Sequence, residues 1–229
     1  MPVLTPDLID RYRHLTSASI SNAIETFDVR LRNEGFADAS VKCLFPDHPP
    51  VVGHAVTARI RCSAPPPVGQ SYHDRTDWWN YIVGVPAPRV VVVQDIDERP
   101  GLGAFVGDIH AHILRALGCV AYATNGSVRD LDDVRSLGFQ LFASGLAVSH
   151  AFAHIVDFGH PVEVAGLGVS PGDVLFGDRD GLLSVPPQIL AQIPEAVDLM
   201  HAKEGHVIAL CRSPRFSIDG LRSLVRDLG

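Results

Sequence analysis

Residues 89–144 predict an α/β domain, on three observations. The run RVVVVQDID, residues 89–97, is continuously β-branched at its start, as strands covered on both faces of a parallel sheet are. The stretch GDIHAHILRALG, residues 107–118, repeats Ile109, Ile113 and Leu117 at helical spacing and stops at Gly118. CVAYAT at 119–124, a short helical LDDVRSL at 131–137 and a third strand GFQLFA at 138–143 then complete a β-α-β-α-β run. Such units cross over right-handedly and place ligands beyond the carboxyl ends of their strands. In this reading Asn125-Gly126 turns the chain and Ser127–Asp130 forms a loop at that end.

The remaining elements flank this unit. Thr5-Pro6-Asp7 is a helix start, followed by Leu8, Tyr12 and Leu15 on one face. Thr16-Ser17 caps a second helix with Ile20, Ala23, Ile24 and Phe27 as its apolar face, so residues 1–35 are expected to be largely helical. Residues 51–62, VVGHAVTARIRC, alternate from His54 onward and predict a half-buried strand. SAPPPVGQSYHDRTDWWNYI, residues 63–82, begins as a proline-rich loop and ends in an aromatic, helical stretch. That stretch, with Asp74, Arg75 and Asp77, reads as a packing patch or as a lid facing substrate or another subunit. PVEVAGLGVSPGDVLFGDRDGLLSVP, residues 161–186, is punctuated by Gly and Pro like antiparallel or barrel-like β structure, and a last helix is expected at about 187–204. No repeat or linker divides the chain, so residues 1–229 are expected to form a single domain.

Composition narrows the function. The 229 residues carry 26 acidic against 19 basic side chains, a net charge of −7, and the basic ones do not cluster, which argues against a nucleic-acid partner. Cys43, Cys62, Cys119 and Cys211 are far apart, with no C-x-x-C pair, and read as free buried thiols. The N-terminus lacks a signal layout and no run approaches a membrane span, so a cytoplasmic setting without a membrane partner is expected.

The chemistry-bearing residues lie at both ends of the helix-strand pair. Gly107 opens a helix, whose unpaired amides and dipole suit a carboxylate. Asp108 is expected to face solvent or a metal-bound water, or to cap its own helix. Gly-Asp here is also what a plain cap looks like. Arg129-Asp130 follows the next strand, where Arg129 would reach a substrate oxygen and Asp130 would hold a hard cation, with Asp132 and Asp133 nearby. An adjacent Arg-Asp pair is equally the pattern of a solvated loop or structural ion pair. His150 and His154 are four apart and would share a helical face, but Ala151 stands where a zincin needs glutamate, so they read as packing or pocket-lining residues, as do His110 and His112. Asp173, Asp178 and Asp180 read as turn formers. No G-x-S-x-G elbow, phosphate loop or dinucleotide fingerprint is present.

Residues 107–139, together with TSASISNAI, VVGHAVTARI and VSPGDVLFGDRDGLLSVP in the same order, resemble the superfamily of 4-hydroxy-4-methyl-2-oxoglutarate aldolase and regulator of ribonuclease activity A. The Arg-Asp pair with an acid three places on, Asp133, resembles the aldolase branch more than the regulator branch. The resemblance implies a layered α/β/β/α fold like the swivelling phosphohistidine domain. It also implies homotrimers or homohexamers with sites between subunits, and magnesium or manganese as cofactor. The implied reaction is cleavage of a 4-hydroxy-2-oxo acid to pyruvate, or oxaloacetate decarboxylation. On the matching positions Gly107, Asp108, Ile109 and His110 would bind substrate, Arg129 would contact the oxo group, and Asp130 would ligate the metal with Asp133 behind it. Arg129 and Asp108 are then the catalytic candidates. Asn22, His110 and SHAFAHIVDFGHP depart from the usual pattern, which points to a different oxo acid, with His110, His150 or the DRTDWW segment reading its far end. A neighbouring subunit's Glu195 or Glu204 is a candidate to complete the site. The competing readings are a non-catalytic binder of an RNA-processing enzyme and a hydratase or isomerase of related acids.

Overall fold

The computed structural model describes residues 3–67 and 76–228. Two helices open the chain, α1 (Pro6–Arg13) and α2 (Ser17–Glu25), capped by the side chains of Thr5 and Thr16. Then follow β1 (Lys42–Cys43), β2 (Val51–Arg61), α3 (Thr76–Gly84), β3 (Arg89–Asp95), β4 (Ala104–Val106), α4 (Asp108–Ala116), β5 (Cys119–Val128), α5 (Leu131–Ser136) and β6 (Gln140–Leu146). The last third contains β7 (His154–Phe158), β8 (Val162–Val164), β9 (Leu167–Val169), β10 (Val174–Asp178), β11 (Gly181–Val185), α6 (Ile193–Arg212) and α7 (Ile218–Leu228). No helix among the described residues is long and apolar enough to cross a membrane.

One mixed sheet organises the molecule in the order β1-β6-β5-β3-β2-β10-β11, with β4 on β5 and β7 on β2. Neighbours β2, β3, β5 and β6 are parallel, as the crossover pattern predicts, while β10, β11, β7 and β1 pair antiparallel. Strand alternation splits the core. Val91 and Val93 join Val56, Tyr122 and Leu141 beneath α3, α4 and α5, whereas Val90 and Val92 face inward to Ala55, Ala121, Phe142 and the β8–β9 hairpin. The sheet curls nearly into a barrel around this second cluster. Phe142 fills the space over Gly177, where a Cβ would lie 2.5 Å from its ring. The segment before β1 bridges the two edges, Phe36 pairing with Leu183 and Lys42–Cys43 with β6. A third cluster seats α1, α2 and α6 on β10 and β11. Helices thus lie on both outer sides of two β layers, the expected α/β/β/α arrangement.

Four local expectations need correction. Asn125-Gly126 does not turn; β5 runs on to Val128 with a register shift. The side chain of Asn125 replaces a strand neighbour, accepting from Asp95 N (2.7 Å) and donating to Asp95 O (3.0 Å). Strand β2 is buried along most of its length rather than on one face, because both its faces are covered: Val56, Ala58 and Ile60 pack beneath the helices and Ala55 in the interior of the curled sheet. Helix α4 buries His110, Ala111 and Leu114, and Ile109 is 75% exposed. The helix expected at 187–204 starts at Ile193, with Pro194 and Glu195 as its start signals, runs to Arg212 and is followed by α7. Asp74 and Arg75 lie outside the described residues. Asp77–Tyr81 sits in α3, where Trp78, Tyr81 and Phe158 form a cluster with ring centroids 5.2 to 5.9 Å apart, the aromatic patch reading.

Candidate active site

Two parallel strands deliver the candidate residues to one place. Strand β4 feeds Gly107 and the start of α4, and β5 feeds Arg129 and Asp130; Arg129 N–H donates to Val106 O (3.1 Å) and ties the two exits together. Between them opens a cavity of about 560 Å³. Gly107, Asp108, Ile109 and His110 line it from α4, and Arg129, Asp130 and Asp133 from the β5–α5 junction. Ala104, Phe105, His150 and Ala153 complete its lining. Every residue expected to touch substrate or metal therefore borders the same space.

The close packing explains the residue types. A Cβ on Gly107 would lie 2.4 Å from Asp130 Oδ2 and 3.0 Å from Arg129 Cγ, so only glycine fits as drawn. Asp130 adopts the left-handed conformation (φ 57°, ψ 44°), which aspartate tolerates better than most residues and which folds its carboxylate back beside Arg129. Its Oδ2 accepts from Asp108 N (3.0 Å) and stands 3.4 Å from Arg129 Nε. Of the roles expected for Asp108 this removes the self-cap: the helix cap comes from Asp130 across the gap, and Gly107 makes no side-chain cap. Asp108 Oδ1 is buried and makes no hydrogen bond among the described residues. His112 Nδ1 stands 3.0 Å from it in ion-pair range but hydrogen-bonds to Asp108 O (3.1 Å). With His112 beside it, that oxygen is closed off from solvent.

The histidines separate. His110 is buried, with Nδ1 2.9 Å from Phe105 O and its ring edge-on to Phe105, and burial pushes its pKa down to about 4. His150 is exposed at the cavity, its Nδ1 2.7 Å from Ala151 O. The segment around it is a turn rather than a helix, so His150 and His154 share no helical face; His154 is buried at the start of β7, with Nδ1 2.7 Å from Phe152 O. Glu195 and Glu204 are exposed on α6 and do not line the cavity of their own chain.

The donors present suit a hard divalent ion. Asp130 and Asp133 offer only carboxylate oxygen, and magnesium characteristically takes one or two carboxylates and keeps several waters. Among the described residues one group brings three potential ligand atoms within 4.8 Å of one another, and it lies elsewhere: Cys62, Asp95 and Asp97. Sequence reading missed this cluster, although the alternation in QDID places both aspartates on one face. Its carboxylates are already occupied. Asp97 accepts from Cys62 N, Ser63 N and Ser63 Oγ, and Asp95 from Asp97 N and Gly101 N. Burial and the two acids push the Cys62 thiol up to about 12, so it stays protonated. That arrangement stitches the ends of β2 and β3 together.

The chain is similar to several known proteins. A segment of Protein DlpA from Legionella pneumophila is 26% identical over 82% of this chain and 29% of that protein. A putative 4-hydroxy-4-methyl-2-oxoglutarate aldolase from Halalkalibacterium halodurans is 27% identical over 36% of this chain and 40% of its own. The chain thus spans less than half the length of each of these two relatives in the matched region. The crystal structure of Streptomyces coelicolor RraAS2, described as an unusual member of the RNase ES inhibitor RraA family, superimposes with a TM-score of 0.69 at 20% identity, covering 90% of this chain and 98% of that one, which shows a shared fold. The RraA-like (Aldolase/RraA) family model matches residues 5–183, from α1 through the whole cavity to β11, and the chain belongs to that family.

Proposed function

We propose that this chain is a divalent-metal-dependent carbon–carbon lyase that releases pyruvate from small 2-oxo acids, by retro-aldol cleavage of a 4-hydroxy-2-oxo acid, by decarboxylation of oxaloacetate, or by both. The observation that carries the reading is the convergence of Arg129, Asp130 and the Gly107–His110 turn on one cavity. A magnesium or manganese ion held by Asp130, with Asp133 behind it, would polarise the 2-oxo group. The first turn of α4 precedes its hydrogen-bond ladder, which begins with Ala111 N to Gly107 O, and it binds the substrate carboxylate. Arg129 meets the oxygen on which charge collects as the C3–C4 bond breaks and its electron pair moves toward C2. In an aldol substrate the C4 hydroxyl proton goes to Asp108, directly or through water, consistent with its place in the cavity lining. Protonation at C3 then gives pyruvate. Decarboxylation needs no base, so the same electron sink serves both reactions.

The neutralisation is also consistent. Asp108, Asp130 and Asp133 outnumber Arg129 in the lining, and an anionic substrate would be repelled without a cation. Self-association, as a trimer or hexamer with sites between subunits, belongs to the same proposal; Ile109, Leu146, Val148 and Phe152 are exposed apolar side chains on the segments that form the cavity.

The test is pyruvate release from oxaloacetate and a panel of 4-hydroxy-2-oxo acids, with magnesium or manganese and with chelator. Metal-dependent release is expected. Substrate binding by metal-loaded protein without any turnover would contradict the proposal and turn attention to the binding-protein reading, and products other than pyruvate would indicate hydratase or isomerase chemistry.

A further inference from the structure

Strand β4 has little hold of its own. It is three residues long, and its ladder with β5 consists of Ala104 opposite Ser127 and Val106 opposite Val128, with a slip between them. So short and irregular a ladder specifies weakly where a strand sits along its neighbour. The placement matters all the same. Ala104, Phe105 and Gly107 line the cavity from β4 and its exit, whereas Arg129 and Asp130 line it from the exit of β5. Beyond the bond from Arg129 N–H to Val106 O, the spacing of these two groups depends on what holds the chain as it enters β4.

That hold centres on Asp95, the last residue of β3 and 2% exposed. Its Oδ1 accepts from Asp97 N (3.1 Å) and its Oδ2 from Gly101 N (2.8 Å), so one carboxylate grips the connection to β4 near both of its ends. Asp95 is itself fixed, since the side chain of Asn125 on β5 holds its backbone N–H and carbonyl. Asp97 is pinned in turn to the end of β2, through Cys62 N and Ser63 N. Gly101 carries the restraint across to β5. Its carbonyl accepts from Ser127 Oγ (2.9 Å), and its φ of 92° suits a glycine, whose missing Cβ would lie 2.9 Å from that hydroxyl. Two residues on, Gly103 O accepts from Cys62 Sγ (3.6 Å), and Ala104 N–H then donates to Ser149 O (3.0 Å).

The carboxylate is specific to this task. Both of its oxygens face backbone N–H donors, and an asparagine could accept at only one of them while turning its NH2 toward the other. Burial raises the Asp95 pKa, so its charge works against folding, and stability alone does not call for an acid here.

Resting on the lyase reading, we propose that Asp95 is a positioning residue for the reaction. Through Gly101 it sets β4 against the end of β5, and so sets the first turn of α4, which takes the substrate carboxylate, against Arg129 and Asp130, which act at the oxo group. Asp95 does not itself line the cavity. A misplacement of about 1 Å between groups that must act together can lower a rate about 100-fold.

The experiment measures two affinities of Asp95→Asn by titration calorimetry: manganese alone, and oxalate, a mimic of the enolate of pyruvate, at saturating manganese. Manganese affinity should stay within about 2-fold of wild type, because Asp130 and Asp133 belong to the β5–α5 junction rather than to β4, while oxalate affinity and turnover fall about 10-fold or more. A purely structural role would lower the melting temperature and leave the affinities of the folded protein alone. Ser127→Ala, which cuts the other hold on Gly101, should show the same split in milder form. The double variant should lose less than the product of the two single losses, since both act on one glycine. If Asp95→Asn does not fold, Ser127→Ala decides. Unchanged oxalate affinity, equal losses of manganese and oxalate affinity, or unchanged turnover would overturn the inference and leave the lyase reading standing. No pyruvate from oxaloacetate or any 4-hydroxy-2-oxo acid with the wild type would sink the lyase reading, and this inference with it.

Discussion

Gly107 shows how little room the candidate site leaves. In Gly107→Ala the added methyl meets the tip of Asp130, a short side chain that can swing aside, rather than immovable backbone. Metal affinity and turnover should therefore fall at least about 10-fold while the melting temperature moves by only a few degrees; a large loss of stability with unchanged metal affinity in titration calorimetry would show that the glycine serves the fold instead. His110 makes a pH prediction. Its folded pKa, about 4, lies below the ordinary value of 6.5, so the unfolded chain binds the proton first. Its contribution is complete above about pH 6.5 and is lost as pH falls toward 4. The loss should reach roughly 3 kcal/mol by pH 4 in urea unfolding, and His110→Leu should flatten that slope.

At the scale of elements, the parallel unit was legible because a β-branched run, a helix of period 3.6 and glycine stops are local signals. What escaped was non-local. Asn125-Gly126 has turn chemistry, yet β3 offers a backbone amide and carbonyl that the asparagine amide matches, and this pairing carries β5 on in the sheet through its register shift. The phase of α4 misled for a related reason: Ile109 faces the cavity and a buried histidine takes the inner position, an inversion of simple apolar patterning of the kind sites produce. Gly107, Asp108, Arg129, Asp130 and Asp133 could be found in sequence because they sit where consecutive strands end, whereas Ala104, Phe105 and Ala153 carry no chemical label and entered only through the fold. The curl of the sheet was legible only as the barrel-like texture of residues 161–186; the contact of Phe142 with Gly177 across the interior was not. Phe142→Ala should cost about 3–5 kcal/mol in denaturant unfolding, far more than an exposed phenylalanine such as Phe152; a loss under 1 kcal/mol would mean the ring does not hold that closure.

At the scale of the whole molecule, the C-terminal hairpin stands apart. Helix α7 lies beyond the matched family region, packs on α6 and buries none of its described residues, while Phe216, Ile218 and Val225 remain exposed. An isolated helix of 11 residues with an uncovered apolar face is marginal in water, so the proposed self-association is expected to draw on it. Light scattering should give a multiple of the chain mass, reduced by Val225→Glu; a monomer at high concentration would contradict the assembly. The central claim is that a guanidinium and an Asp130-anchored cation act on one oxygen. Calorimetric titration with oxalate, which mimics the enolate of pyruvate, tests it most directly. Binding should require magnesium or manganese and weaken about 100-fold or more in Arg129→Ala, with the fold unchanged by circular dichroism. Oxalate bound equally well without metal, or equally well without Arg129, would contradict it.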